Sequence, residues 1–131
     1  MAGFRALRVE EVAPRDWETG GEWLPLRHAL GVGAFGVNAW RADAGGEVIE
    51  RHDETDYGHE ELYVVLAGRV MFSVAGDEID APAGTALFVE DPTLERVGVA
   101  QENGTLVLAV GARRGQAFEV SAWEERHLGT N

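Results

Sequence analysis

The chain has 131 residues, enough for one compact domain with a single hydrophobic core. It contains no cysteine and no lysine, which excludes disulfides, thiolate metal ligands and lysine Schiff bases. The formal net charge of -12 repels the phosphates of nucleic acid, so we expect no nucleic-acid partner.

Short apolar stretches separated by glycine and proline run through the whole chain, and this pattern predicts an all-β fold. Residues 123–129 are compatible with one helical turn or with an irregular tail. Many short strands at this spacing are typical of a sandwich or barrel. In chain order we expect strands over residues 6–12, 24–29, 36–42, 47–54, 60–66, 69–74, 77–81, 85–89, 96–100, 105–111 and 117–122.

The longest apolar runs, residues 62–67 and 106–110, are far shorter than the ~20 residues that a membrane helix needs. The first residues lack the apolar segment and cleavage site of a secretory signal. We therefore expect a cytoplasmic protein with no membrane partner.

Four potential metal ligands, His52, Glu54, His59 and Glu61, lie close together in the sequence. Side chains two positions apart on a strand project from the same face of the strand. His52 and Glu54 would therefore lie on one face of their strand, and His59 and Glu61 on one face of theirs. Imidazole and carboxylate groups from neighbouring strands can hold one divalent ion, and this donor set suits zinc, iron, manganese or nickel. The pattern predicts a metal site made by these four residues.

The stretch from residue 46 to residue 68 resembles the first sequence motif of the cupin superfamily, G-x5-H-x-H-x3or4-E-x6-G. Gly46, His52, Glu61 and Gly68 fall on the first glycine, first histidine, glutamate and last glycine of that motif. Glu54 stands at the second histidine position, and the spacing from it to the glutamate is longer than in the motif.

Residues 76–91 resemble the second cupin motif, G-x5-P-x-G-x2-H-x3-N. Gly76, Pro82 and Gly84 keep the spacing of the motif. Leu87 stands in place of its histidine and Asp91 in place of its asparagine. For Asp91, which precedes a proline, we expect a turn-forming role.

The resemblance implies a small all-β, single-domain cupin β-barrel, also described as a double-stranded β-helix or jelly roll. We expect residues 1–131 to form one domain, with the barrel over about 40–111. Strands of the segment 1–39 and the tail 112–131 would pack on it. In metal-binding cupins two histidines and a glutamate of the first motif and a histidine of the second hold a divalent ion. Here His59 would replace a missing histidine.

A ligand pocket is expected beside the metal site, lined by Trp40, Tyr63 and Leu87. By strand parity Tyr63 shares the face of Glu61, so its hydroxyl would orient a ligand or bond to a ligating group. A core tyrosine with a satisfied hydroxyl is the alternative. If Leu87 points inward, it makes one wall of the site apolar.

Large aromatic side chains outside the barrel stretch are compatible with a homodimer contact or with sealing of the barrel ends. They are Trp17, Trp23, Phe35 and Trp123.

His28 and His127 stand apart from other potential ligands in the sequence, so we interpret them as ordinary structural or surface residues.

Three classes of function remain open. The first is a metal-dependent small-molecule enzyme, an oxygenase or an isomerase/lyase-like enzyme. The second is a metal-free module that binds a small ligand in the barrel, and the third is an interaction domain without pocket chemistry. In the metal-free case, residues 50–54 and 59–61 are also compatible with a solvated, charged loop.

Overall fold

The computed structural model describes residues 3–129, and antiparallel strands make up most of it. A short 3-10 helix, Val9–Glu11, precedes the first strand. The strands are β1 (Arg15–Asp16), β2 (Glu22–Leu24), β3 (Gly36–Ala42), β4 (Glu47–His52), β5 (Glu60–Ala67), β6 (Arg69–Val74), β7 (Asp77–Pro82), β8 (Ala86–Val89), β9 (Arg96–Ala100) and β10 (Thr105–Ala112). The helices are α1 (Leu26–Leu30) and α2 (Ala122–Leu128).

The strands form two antiparallel sheets that pack face to face, which confirms the predicted jelly roll. One sheet has the order β1-β2-β3-β10-β5-β8, and the other has the order β4-β9-β6-β7. Strand β4 pairs with β9 in the second sheet, whereas β5, the next strand in the chain, pairs with β10 and β8 in the first. The connection between β4 and β5 therefore crosses from one sheet to the other, at one end of the barrel.

The main hydrophobic core lies between the sheets and is built by alternate residues of each strand. Val70 and Phe72 on β6 are fully buried, and Val65 on β5 and Val89 on β8 pack into the same cluster. Alternation with period two is what a strand with one buried face requires, and it made these positions predictable from the sequence.

Gly68 links β5 to β6 in a conformation that only glycine adopts without strain. Its φ angle is 77°, and a Cβ added there would lie 2.8 Å from Cα of Thr105. This close approach of two backbones gives a physical reason for the glycine at this position of the motif.

Both ends of the chain differ from the sequence prediction. The strand expected over residues 6–12 is wrong, because this segment contains only a 3-10 helix. The strand expected over 24–29 is also wrong, since β2 ends at Leu24 and α1 follows. Pro25 precedes α1 with a φ of -74°, and Gly31 ends the helix in the left-handed region. Proline before a helix and glycine after it are common start and stop residues, so the segment is suited to a short helix.

The strand expected over residues 117–122 is wrong as well, because α2 begins at Ala122 and no strand precedes it there. Helix α2 is fixed through Glu124, which is buried and accepts hydrogen bonds from Arg27 and Asn38. Of the two interpretations of the tail, the helical one is therefore confirmed. Within residues 3–129, no helix is long and apolar enough to cross a membrane.

Candidate metal centre and ligand cavity

Three of the four predicted metal ligands converge where β4 passes into β5. His52 ends β4, Glu54 lies in the connecting loop, and Glu61 is the second residue of β5. His52 Nε2 lies 3.0 Å from Glu54 Oε2 and 3.5 Å from Glu61 Oε1. One potential ligand atom from each of the three residues lies within 4.8 Å of the other two.

The three side chains are largely withdrawn from solvent. The exposed fractions are 29% for His52, 12% for Glu54 and 16% for Glu61. These values exclude the alternative of a solvated, charged loop for the three residues. Burial of two carboxylates beside one imidazole is costly unless a positive charge compensates them.

The geometry of His52 fits a metal ligand. Its Nδ1 lies 2.7 Å from the backbone carbonyl oxygen of Glu50, and because a carbonyl only accepts, Nδ1 carries the hydrogen. In the neutral ring this leaves the lone pair of Nε2 directed toward the two carboxylates. Donor atoms that share one ion at about 2.1 Å lie about 3.0–3.4 Å apart, close to the 3.0 and 3.5 Å that separate His52 Nε2 from the two carboxylate oxygens. The three residues therefore fit one divalent ion.

His59, the fourth predicted ligand, lies at the edge of this group. Its Nδ1 is 3.5 Å from Glu54 Oε1, the carboxylate oxygen that does not face His52. Strand β5 begins after His59, so the strand parity assumed for it and Glu61 does not apply. The ring lies beside Tyr57 and Phe118, with centroid distances of 5.8 and 5.9 Å.

Glu61 is held by two further donors from inside the barrel. Its Oε1 accepts a hydrogen bond from the hydroxyl of Tyr63, as the shared strand face predicted. It also accepts one from Arg96 Nη1 at 3.1 Å. Arg96 has no solvent-exposed surface, and its Nε donates to the carbonyl of Leu94 at 3.0 Å.

Arg96 is a functional candidate that sequence reasoning did not identify. The one signal was an arginine at the start of an otherwise apolar strand, residues 96–100. Its partner Glu61 is 35 positions away in the sequence, so the ion pair becomes visible only when β9 and β5 are placed in space.

The turn before β9 also supports the centre. Asp91 Oδ1 accepts hydrogen bonds from the backbone and hydroxyl of Thr93, at 2.9 and 2.8 Å, which confirms its turn-forming role. The next carbonyl, that of Pro92, accepts from the backbone N–H of Glu54 at 2.8 Å. The turn thus holds the loop that carries one of the candidate ligands.

The charges in the metal-free cluster follow from these contacts. Burial lowers the pKa of His52, but hydrogen bonds from its ring to Glu54 and Glu61 outweigh burial and raise the pKa to about 10. Burial raises the pKa of Glu61, and contacts with His52, Tyr63 and Arg96 outweigh it, so the net pKa is lowered. Burial and the neighbouring Glu61 raise the pKa of Tyr63 well above its usual value. Near neutral pH the metal-free cluster thus contains an imidazolium, a carboxylate and a phenol.

A cavity of about 390 Å³ opens beside the cluster. His52, Glu54, His59 and Glu61 contribute to one part of its lining. Of the predicted pocket residues, Tyr63 and Trp40 line it. Leu87 is not among its lining residues; it lies opposite Tyr63 on β8 and packs against the core.

Another part of the cavity lining is aromatic. Trp17, Trp40, Trp123 and His127 contribute to its lining, and the fully buried Trp23 lies behind them. The Trp17 ring lies 4.9 Å from Trp40, 5.6 Å from Trp123 and 4.6 Å from His127, measured between centroids. This group of five rings is called the aromatic wall below.

The aromatic wall changes the interpretation of several sequence features. Trp17, Trp23 and Trp123 pack against one another within one chain, which is compatible with the sealing role. Phe35 stays 41% exposed. His127, expected to be an ordinary residue, lines the cavity because it follows Trp123 by one helical turn on α2.

Comparison with known proteins supports the fold and leaves the chemistry open. No protein-family model matches the chain, and no curated protein matches it significantly. A cupin protein from Bacteroides fragilis has 20% identity and a TM-score of 0.66, covering 92% of this chain and 93% of its own. A predicted oxalate decarboxylase from Thermotoga maritima has 22% identity and a TM-score of 0.68, covering 83% and 99%.

A third solved structure is a sugar phosphate isomerase of the cupin superfamily from Silicibacter pomeroyi. It has 18% identity and a TM-score of 0.66, and the alignment covers 83% of this chain and 76% of that one. The resemblance of the two sequence motifs and the similarity of the whole fold agree. The chain has the cupin fold.

Proposed function

We propose that this chain binds one divalent metal ion through His52, Glu54 and Glu61, and a small organic molecule in the adjacent cavity. The observation that carries the proposal is the convergence of one imidazole and two carboxylates at separations of 3.0 and 3.5 Å. The orientation of His52 by the Glu50 carbonyl supports it, since metal-ligating histidines are held through their second nitrogen in this way.

The donor set of nitrogen and oxygen without sulfur suits zinc, iron(II), manganese or nickel. His59 would be the fourth protein ligand, reached by a small movement of its ring or of Glu54. A bound ion would supply Lewis acidity toward an oxygen atom of the bound molecule. The proposed activity is a metal-dependent small-molecule reaction of the oxygenase or the isomerase/lyase type.

The residues around the centre would have separate tasks. Tyr63 and Arg96 hold Glu61 in one orientation, and the turn at Pro92 holds the loop of Glu54. The aromatic wall shields the cavity from bulk water and offers flat apolar surface to the bound molecule. Fixed ligands and a shielded cavity are what a metal centre needs in order to present one open position to a substrate.

A metal-free small-ligand module is the second candidate, and one observation favours it. Arg96 already gives Glu61 a permanent positive partner, and His52 as an imidazolium compensates the second carboxylate. The cluster is therefore balanced without an ion. In that case the same cavity would hold a ligand by hydrogen bonds and aromatic contacts alone.

Metal analysis of protein purified without a histidine tag separates the two candidates. The proposal predicts about one tightly bound ion per chain, and an affinity loss of more than about 100-fold in His52→Ala and in Glu61→Gln. Glu60→Gln is the matched control, because Glu60 is the neighbouring residue but pairs with Arg114 at the surface. Sub-stoichiometric metal and no binding of added zinc, iron, manganese or nickel to the wild type would favour the metal-free module.

A further inference from the structure

The aromatic wall presents a particular kind of surface to the cavity. Trp17, Trp40 and Trp123 line it, and their rings meet at large angles, between 38° and 76°. All three side chains are only partly buried, so part of each ring is accessible from the cavity. Among aromatic side chains, the face of the tryptophan indole ring attracts a positive charge most strongly.

The cavity also has an excess of negative charge. Two of its carboxylates have guanidinium partners, since Glu61 pairs with Arg96 and Glu124 with Arg27. Glu54 faces His52. The carboxylates that remain have, within residues 3–129, no arginine or histidine within ion-pair distance, and Arg126 is the single arginine in the lining. They are the partly buried Glu50 and the solvent-exposed Glu18 and Asp53.

Glu50 joins the aromatic wall to the metal centre. Its Oε2 accepts a hydrogen bond from Trp17 Nε1 at 3.1 Å, while its backbone carbonyl orients His52. The indole N–H is a neutral donor, so it fixes the carboxylate without removing its charge. A carboxylate held against the edge of a tryptophan in a half-buried cavity favours a cation beside the ring.

We propose that the cavity takes a small organic cation, an ammonium compound whose charged head lies against Trp17 and Glu50. The other end of the molecule would reach the metal centre at His52, and this part of the inference rests on the proposed function. The charge of the lining, reinforced by the net charge of -12, opposes small polyanions such as oxalate or a sugar phosphate. The ligand class would thus differ from the anions named for two structures of the same fold.

Isothermal titration with matched probes tests the proposal. Choline and 3,3-dimethylbutan-1-ol have the same shape and differ in one positive charge. At pH 7.5 and constant ionic strength, choline is expected to bind at least about tenfold more tightly than the neutral alcohol. Oxalate and glucose 6-phosphate are expected to bind more weakly than choline to the metal-free protein.

Substitutions locate the preference. Glu50→Gln keeps the hydrogen bond from Trp17 and removes the charge, so the preference for choline is expected to fall at least about threefold. Glu78→Gln removes one charge from an exposed position of β7 outside the cavity and should leave the preference unchanged. Circular dichroism of both variants checks that they are folded.

Any one of three results would overturn the inference. Choline and the neutral alcohol could bind equally well, or either anion could bind to the metal-free protein more tightly than choline. The third result is no saturable binding of choline up to about 10 mM. Each titration is made on metal-free and metal-loaded protein. A preference for choline that depends on Glu50 in a chain without metal affinity would support the inference and refute the proposed function. Binding of one metal ion per chain without a preference for choline would support the proposed function and overturn the inference.

Discussion

Arg96 and Glu61 form a buried ion pair between the two sheets, with Arg96 Nη1 3.1 Å from Glu61 Oε1. The arginine side chain is completely enclosed, and its remaining donors point to backbone carbonyls of the turn before β9. A guanidinium cannot lose its proton in a protein, so it was buried as a cation. Its place in the structure is explained by the carboxylate that it holds.

Replacement of Arg96 by methionine is expected to destabilise the protein by about 3–5 kcal/mol, because Glu61 would remain buried with less compensation. Urea unfolding at neutral pH measures the loss. The double variant R96M/E61L should recover a large part of the stability, since no buried charge is left without a partner. If the double variant is no more stable than Arg96→Met alone, the ion-pair explanation is contradicted.

Arg69→Met is the matched control for that experiment. Arg69 also pairs with a carboxylate, that of Asp80, but both side chains are nearly half exposed. Exposed ion pairs contribute little to stability, so this variant should unfold close to the wild type. A loss as large as that of Arg96→Met would show that burial does not decide the effect.

In metal-free protein, His52 should remain an imidazolium at neutral pH and titrate at a pKa of about 10, instead of the usual 6.5. A raised pKa means that the charged ring stabilises the fold. This contribution is fully present below pH 6.5 and is lost as the pH rises through about 10. A pH titration followed by NMR of the imidazole carbons measures it, and His52→Gln identifies the resonance. A pKa near 6.5 would contradict the contacts described for Glu54 and Glu61.

Tyr63→Phe is expected to weaken metal binding by about 10-fold, because it removes one of the donors that orient Glu61. The same change should cost about 1 kcal/mol of stability. Competition with a chromophoric chelator measures the metal affinity. Tyr57→Phe is the control, since Tyr57 lines the same cavity but makes its hydrogen bonds to Arg113 through the backbone carbonyl. Equal affinity in wild type and Tyr63→Phe would remove Tyr63 from the support of the centre.

Gly68→Ala is expected to lose about 1–2 kcal/mol more stability than Gly76→Ala. Both glycines have positive φ, 77° and 89°, so alanine at either position lowers the stability through the strain of the left-handed conformation. At Gly68 the added methyl also meets the backbone of Thr105, whereas at Gly76 the space is open. Thermal unfolding compares the two variants. Equal losses would mean that the close approach to Thr105 relaxes without cost.

The barrel strands were predictable because each buries one face between two sheets. The strands over 36–42, 69–74 and 96–100 have the predicted bounds, and their alternation is set by that burial. Helix α1 was missed, and for α2 a helical turn was only one of two interpretations, because each helix has at most seven residues, too few for a helical period to stand out. Their boundaries depend on capping and on contacts such as that between Arg27 and Glu124.

The centre could be predicted only in part. His52 and Glu54 are two positions apart and a motif marked Glu61, so the sequence brought these three together, although β4 ends at His52 and Glu54 lies in the loop after it. His59 was assigned by strand parity, but it lies in the loop before β5, where parity has no meaning. Arg96 reaches the centre through the pairing of β9 with β4, and no local pattern encodes such a long-range contact.

Diffraction from crystals grown with manganese or zinc, with data collected at the absorption edge of the metal, would locate the bound ion. We expect one anomalous peak about 2.0–2.2 Å from His52 Nε2 and from carboxylate oxygens of Glu54 and Glu61. Crystals soaked at millimolar metal that show no peak there, or a peak held by other residues, would contradict this expectation.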